Sequence, residues 1–436
     1  MRNQRSLVRK GRALMLVSAL GLCGFGLVMV YSASSVKDYQ VLGNSAYHLV
    51  KQAQWLAAGL VAMALASRLD LRLSSRRLPL HRDALALGLV AWCASVAGLV
   101  LVFAVGVERY GAKRWLDFGP IGLQPSEFAK LSVVLLVAAL LAKWRRGEMA
   151  ADRAFWGIAG ASLSVFALVI LQPDMGTAVS IAVGVFVLLV LSGVNGRVLL
   201  GLLGAGAGAG IALIAVESYR MDRVLAFLDP WSDPGDKGYQ IVQSLLAFGS
   251  GGLGGVGLGL SRQKFSYLPM AHTDFIFAII GEELGLIGSL AVVAAFAAFV
   301  YGGFLVAMGS ASEYDKLLAG GLTGLIGTQA VINMCAATGL MPVTGIPLPF
   351  VSYGGSSLML TLVCVGLVLG AARRAERSPA AVPSRASAKR SSAAAVGGPS
   401  STRKGRVREI PVERRRDSGA HLPRADRRTH PRTGRA

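Results

Sequence analysis

The stretch Tyr267-Leu268-Pro269-Met270-Ala271-His272-Thr273-Asp274-Phe275 leads into an apolar run. It sets one carboxylate, Asp274, at the doorway and two more, Glu282 and Glu283, inside. Ionisable groups in or beside hydrocarbon are costly, so each marks a candidate functional site. A carboxylate there suits general-base chemistry, because desolvation lifts its pKa toward neutrality. The competing reading is that Thr273 or Asp274 only caps the following helix. Glu282 and Glu283 are adjacent helical positions, and the sequence does not say which would face a cavity.

Other polar groups share this setting. Lys130 sits about one turn into an apolar run, and Asp174 follows Pro173 at the end of another. Opposite chain directions bring them to similar depth, which predicts a Lys130–Asp174 ion pair, structural before catalytic. Gly111-Ala112-Lys113-Arg114-Trp115 places two cations beside an interfacial aromatic and invites an anion such as phosphate. Arg262 and Lys264 add positive charge just before Asp274. The glycine run 249–259 has GxGxxG-like spacings but no βαβ context. It reads as a flexible or re-entrant element, not a dinucleotide site. The segment from Pro342 to Ser357 is too rich in Pro and Gly for a simple helix and reads as a cavity wall.

The elements that must position these groups are membrane spans. The chain is 53% hydrophobic and only 16% charged, which excludes a soluble enzyme of 436 residues. Its apolar runs are of bilayer-crossing length. About ten helices are expected, giving an all-α polytopic membrane protein. The first run, Ala13–Tyr31, follows a basic segment, residues 1–12. It resembles a signal peptide as well as a retained first helix, and the retained helix is favoured by its length and by the spans that follow. Small residues from Gly201 to Gly210 predict close helix packing. The four cysteines all lie in apolar runs without metal-ligand spacing, so no disulfide framework is expected.

Charge sets the orientation. Arg68, Arg72, Arg76, Arg77 and Arg82 fall in one inside loop, and Lys143, Arg145, Arg146 and Arg153 in another, if both termini are cytoplasmic. The outside connections 172–176 and 342–349 carry no Lys or Arg. A large extracytoplasmic loop, residues 218–272, precedes the eighth span. Chemistry is therefore expected at the outer face. The net charge of +21 is concentrated in residues 373–436, a tail read as disordered and cytoplasmic, lying near an anionic leaflet and not on nucleic acid.

Taken together, Gly111–Asp117, Gln124-Pro125-Ser126-Glu127 with Lys130, Gln172–Thr177, Gln243–Lys264, His272–Glu283 and Pro342–Ser357 resemble the SEDS family of bacterial cell-wall proteins, the FtsW/RodA/SpoVE group. The resemblance covers about residues 13–372 and is closer to the division type than the elongation type, through Ser261-Arg262-Gln263-Lys264-Phe265. It implies an inverting glycosyltransferase that polymerises lipid II beside a class B penicillin-binding transpeptidase and other division proteins. It places the protein in the bacterial cytoplasmic membrane, at the septum. It implies that Asp274 is catalytic and that Lys130 and Asp174 form the family's embedded pair. Candidate pyrophosphate or substrate ligands are Lys113, Arg114, Arg262, Lys264, His272, Ser352 and Ser356, with a divalent cation, Mg or Mn, as a possible aid and no dedicated ligand cluster for it. Met270 departs from the family, which often has Glu there.

Two rival classes remain at this stage. A lipid II flippase needs polar groups at mid-depth and access from both faces. A division scaffold would put its working residues on lipid-facing surfaces and the tail. An elongation-type polymerase is the nearer alternative.

Overall fold

The computed structural model describes residues 2–73, 83–109, 112–117, 119, 122–265 and 267–377. Twelve helices follow in chain order: α1 (Arg2–Leu42), α2 (Tyr47–Ala66), α3 (Ala84–Val105), α4 (Pro125–Arg145), α5 (Ala151–Leu171), α6 (Met175–Leu191), α7 (Gly196–Val216), α8 (Ser218–Leu228), α9 (Tyr239–Gly251), α10 (Ile276–Gly309), α11 (Glu313–Ala337) and α12 (Gly355–Arg377). Among the described residues, nine helices are long and apolar enough to cross a membrane, and α6 is a shorter apolar one. That agrees with about ten spans. A small antiparallel sheet departs from the all-α expectation. Its strands β1 (Val107–Arg109), β2 (Ala112–Asp117) and β3 (Gly122–Leu123) lie in the order β1-β2-β3 between α3 and α4.

The centre of the bundle is α4, α11 and α12, which are mostly buried. Around it, α1 packs along α10, α2 along α12, and α3 along α4. At 41 residues, α1 is roughly 60 Å long, about twice the hydrocarbon thickness. It absorbs the basic segment into one continuous helix and contributes Met15, Ala19 and Met29 to the core. Close approach occurs where glycines face each other: a Cβ on Gly11 would lie 2.6 Å from the Gly302 carbonyl, and one on Gly302 would lie 2.8 Å from that of Gly11.

The small-residue run of α7 behaves differently from expectation. No residue of α7 is buried, and nothing lies within 4 Å of a Cβ built on Gly201, Gly204, Gly206, Gly208 or Gly210. Small residues permit close packing, but here no described helix faces them.

The glycine run before Arg262 is re-entrant, as its composition suggests. Helix α10 breaks at Gly285, with φ 67 and ψ −163, and the loop after α9 fills the break. Val256 and Gly257 donate their N–H groups to the carbonyls of Glu282 and Glu283, both at 3.0 Å. Leu286 and Ile287 donate to the carbonyls of Gly252 and Leu253, at 2.9 and 3.3 Å. Two orphan carbonyls of the first half-helix and two orphan N–H groups of the second are thus satisfied. A Cβ on Gly255 would lie 2.2 Å from the Glu283 carbonyl, so only glycine fits that crossing.

The opposite end of the bundle is tied by charge. Arg374 donates to Asp315 at 2.6 Å and to the Leu69 carbonyl at 2.7 Å, and Arg12 pairs with Glu376 at 2.9 Å. Residues 373–377 therefore continue α12, past the start expected for the tail. Residues 378–436 lie outside the described residues.

Candidate active site

Three polar segments meet at one end of the bundle: the sheet loop, residues 217–275, and residues 338–354. This is the end that the charge bias of the sequence leads one to expect outside. The turn carrying Asp274 is held through its backbone. Three consecutive carbonyls each accept from another element: His272 from the Tyr353 N–H at 2.9 Å, Thr273 from the Ser352 hydroxyl at 2.6 Å, and Asp274 from the Asn333 amide at 2.7 Å. The same Asn333 amide also donates to the Ile346 carbonyl at 2.7 Å, stitching α11 to both loops. Met270 enters the turn with φ 55, a left-handed value that costs a non-glycine residue energy and is sustained by these bonds.

The Asp274 carboxylate faces the 342–357 wall, where a Cβ on Gly345 would come within 3.6 Å of its Oδ2. Burial pushes its pKa up to about 6; Arg223 and then Arg114 oppose the rise, and Asp174 adds to it. The group is thus a carboxylate near neutrality with two guanidinium groups and a second carboxylate acting on it. That is the setting of a general base. The capping reading is not realised: α10 has no side-chain cap at its N-terminus.

The expected Lys130–Asp174 ion pair does not form. Lys130 donates to Glu127 at 2.7 Å, one turn away on the same helix, with both side chains buried. The lysine is neutralised within α4, since i,i+3 partners share a face. Asp174 instead caps α6, accepting from the Thr177 N–H at 3.2 Å, and takes Gln124 at 3.2 Å and Ser126 at 3.1 Å on its other oxygen. Glu127 and Gln124 sit in a stretch singled out from sequence, but their partners were not legible there.

The remaining candidates divide. Arg114 reaches toward Asp274 and donates to the carbonyls of Gln172, at 3.0 Å, and Pro173. Lys113 is exposed on β2. Arg262 is exposed, and its backbone N–H donates to Glu282 at 2.9 Å. Lys264 is buried, donating to the Gly259 carbonyl and lying 4.0 Å from Glu283. Ser352 is spent on the turn, accepting from the Leu348 N–H at 2.8 Å as well. Ser356 is buried near the start of α12. His272 is buried and its pKa is pushed down to about 4, first by burial and then by His48 and Lys37, so the ring is neutral at pH 7. Glu282 and Glu283 are both structural: Glu283 accepts from Ser32 at 2.7 Å, and Glu282 from the Ser261 hydroxyl and the Arg262 N–H. The re-entrant loop reaches both, since the Ser261 N–H also donates to Glu283 at 3.4 Å, and α1 adds Ser32 to Glu283.

Sequence reading missed Arg223 and Asn333. An asparagine inside an apolar run was the available signal for Asn333. Arg223 lies on the amphipathic helix α8, donates to the Val343 carbonyl at 3.0 Å, and lines a polar cleft of about 490 Å³ with Asp222, Lys237 and Pro269. An apolar groove of about 540 Å³ lies elsewhere, between α9, α10 and α11.

The fold is that of a polytopic membrane protein, with a buried carboxylate, Asp274, held among its polar loops. Residues 12–377 match the family model for the FtsW/RodA/SpoVE cell cycle proteins, and the chain belongs to that family. It is 39% identical over 366 residues to Stage V sporulation protein E of Bacillus subtilis (strain 168), covering 83% of this chain and 96% of that one. It is 42% identical over 361 residues to the Probable peptidoglycan glycosyltransferase FtsW of Nitrosococcus halophilus (strain Nc4), covering 81% and 90%. Among solved structures, a peptidoglycan synthase complex described as coordinating polymerization and crosslinking matches with TM-score 0.67 at 31% identity, covering 84% and 98%. The rod shape determining protein RodA of Thermus thermophilus matches with TM-score 0.59 at 30% identity, covering 84% and 97%.

Proposed function

We propose that this chain is a peptidoglycan glycosyltransferase that polymerises lipid II at the outer face of the bacterial cytoplasmic membrane, with Asp274 as general base. The observation that carries the reading is Asp274 itself: a carboxylate lifted to about 6, on a turn fixed at three consecutive carbonyls, with Arg223 and Arg114 acting on it. The names of relatives in the family support the same activity.

The acceptor's sugar hydroxyl gives its proton to Asp274 as its oxygen bonds to the donor's anomeric carbon. The bond from that carbon to the lipid diphosphate breaks, and the diphosphate departs with the electron pair. An α-linked donor and a β-linked product require inversion, which one base can serve. Arg114 and Arg223 supply positive charge where the diphosphate gathers negative charge. Among the described residues no group of three or more His, Cys, Asp or Glu side chains is arranged to hold a metal. This donor set does not fit a cation held by the protein alone, so no step is assigned to one. Participation of Mg or Mn is reserved for an ion carried in by the substrate's diphosphate.

The partner we propose is a class B penicillin-binding transpeptidase, and the setting septal wall synthesis with other division proteins. The solved relative that couples polymerization to crosslinking supports the first, and the FtsW names support the second. The test is strand synthesis from purified lipid II, by the chain alone and with a transpeptidase whose own chemistry is blocked. Polymer supports the reading. Lipid II crossing liposome bilayers without polymer would replace it with the flippase.

A further inference from the structure

One pair, a buried carboxylate and a half-buried imidazole, has no task in the scheme above. Asp38, near the end of α1, is 1% exposed, and His48 is the second residue of α2. The His48 Nδ1 lies 2.5 Å from Asp38 Oδ1. The other Asp38 oxygen accepts from the His48 N–H at 3.1 Å and from the Ser34 hydroxyl at 3.0 Å. Both oxygens are engaged, so the carboxylate fixes the histidine by its backbone and its ring at once. A ring hydrogen-bonded through Nδ1 to a carboxylate has its tautomer and orientation set.

That ring meets the reaction turn. His48 and His272 have centroids 4.7 Å apart at 48°, and both pack on Tyr353, at 4.5 and 5.8 Å. No hydrogen bond from the His272 ring nitrogens to a described residue is present, and the rings it meets are those of His48 and Tyr353. His272 is two residues before Asp274, and its carbonyl is one of the three that hold the turn. The titratable groups in contact with His48 are Asp38, Tyr47, Tyr353 and His272, and Lys37 acts on His272. A simple brace for the α1–α2 corner would need only the backbone bond. The ring bond is what reaches His272.

We propose that Asp38 and His48 are positioning residues for Asp274: the pair orients the His272 ring and, through it, the turn that carries the base. This rests on the reading of Asp274 as base. Holding reacting groups to a fraction of an ångström is worth orders of magnitude in rate, so a loosened turn lowers kcat more than it weakens binding.

The test uses full-length protein in lipid nanodiscs with purified lipid II, rates being normalised to monodisperse folded protein. The variants are His48→Phe, which keeps a ring without Nδ1; His48→Asn, which keeps a donor near that position; Asp38→Asn; and Asp38→Ala. His48→Phe and Asp38→Ala should each lower kcat about tenfold with KM changed less than about twofold, and the double variant should match the worse single. His48→Asn should recover at least about half of the wild-type kcat. In a His272→Ala background, His48→Phe should have no further effect. Should His48→Phe give no folded protein, Asp38→Asn against His48→Asn makes the same comparison. A kcat per folded molecule within about twofold of wild type for both Phe and Ala variants overturns the proposal, as does an unchanged effect without His272. Asp274→Asn run in parallel separates the failures. If it remains active, the base reading falls and this proposal with it. If it is inactive while His48→Phe is normal, only the positioning role falls.

Discussion

At the residue scale, the electrostatics of Asp274 set the pH dependence. A base must be ionised, so polymerisation should fall as pH drops through about 6, the value to which burial lifts this carboxylate. The linkage sign runs the other way for stability. A carboxylate whose folded pKa is raised favours the fold at low pH, and that contribution is lost as pH rises from about 4 to about 6. Asp274→Asn should therefore match or exceed the wild-type thermal midpoint at pH 7.5. Lys130 behaves oppositely, because its partner is buried with it. Lys130→Ala leaves Glu127 as an uncompensated charge and should cost about 3–5 kcal/mol, read as a lowered thermal midpoint in detergent. Lys130→Ala in a Glu127→Gln background should cost less. If instead the paired anion were Asp174, the compensating change would be Asp174→Asn.

At the scale of elements, the break in α10 is the device that brings the acidic helix and the loop together. Gly255→Ala puts a methyl into the Glu283 carbonyl at a residue with φ 81, and should reduce folded yield severely in a size-exclusion assay; Gly254→Ala, with nothing near it, should not. The break was half legible. The Gly-rich sequence before Arg262 announced a flexible or re-entrant element at the membrane surface. Which carbonyls it would satisfy was not legible, since those bonds join residues about thirty apart through tertiary packing. The Lys130 pairing failed for a related reason. A partner one turn away on the same helix took precedence, and Glu127 at i−3 was the residue that signalled it. Asp274 was legible because a carboxylate at a span's doorway stands out against its apolar setting. Arg223 was not, because an arginine on a loop helix looks ordinary until folding sets it beside that carboxylate.

For the whole molecule, the span count and the clustering of polar loops at one end were both readable from runs of apolar residues and from charge bias. The packing of α7 was not. Its small residues allow contact without requiring it, and helices in lipid gain nothing from apolar burial alone. The two ends of the bundle divide the labour: Arg374, Asp315, Arg12 and Glu376 tie the end assigned to the cytoplasm, and the three polar loops build the site at the other. The proposed function has this site polymerise lipid II with Asp274 as base. The most direct measurement is strand synthesis from purified lipid II by wild type and by folded Asp274→Asn, each with a transpeptidase partner whose own chemistry is blocked. Polymer is expected from the first and none from the second. Equal polymer from both would contradict it.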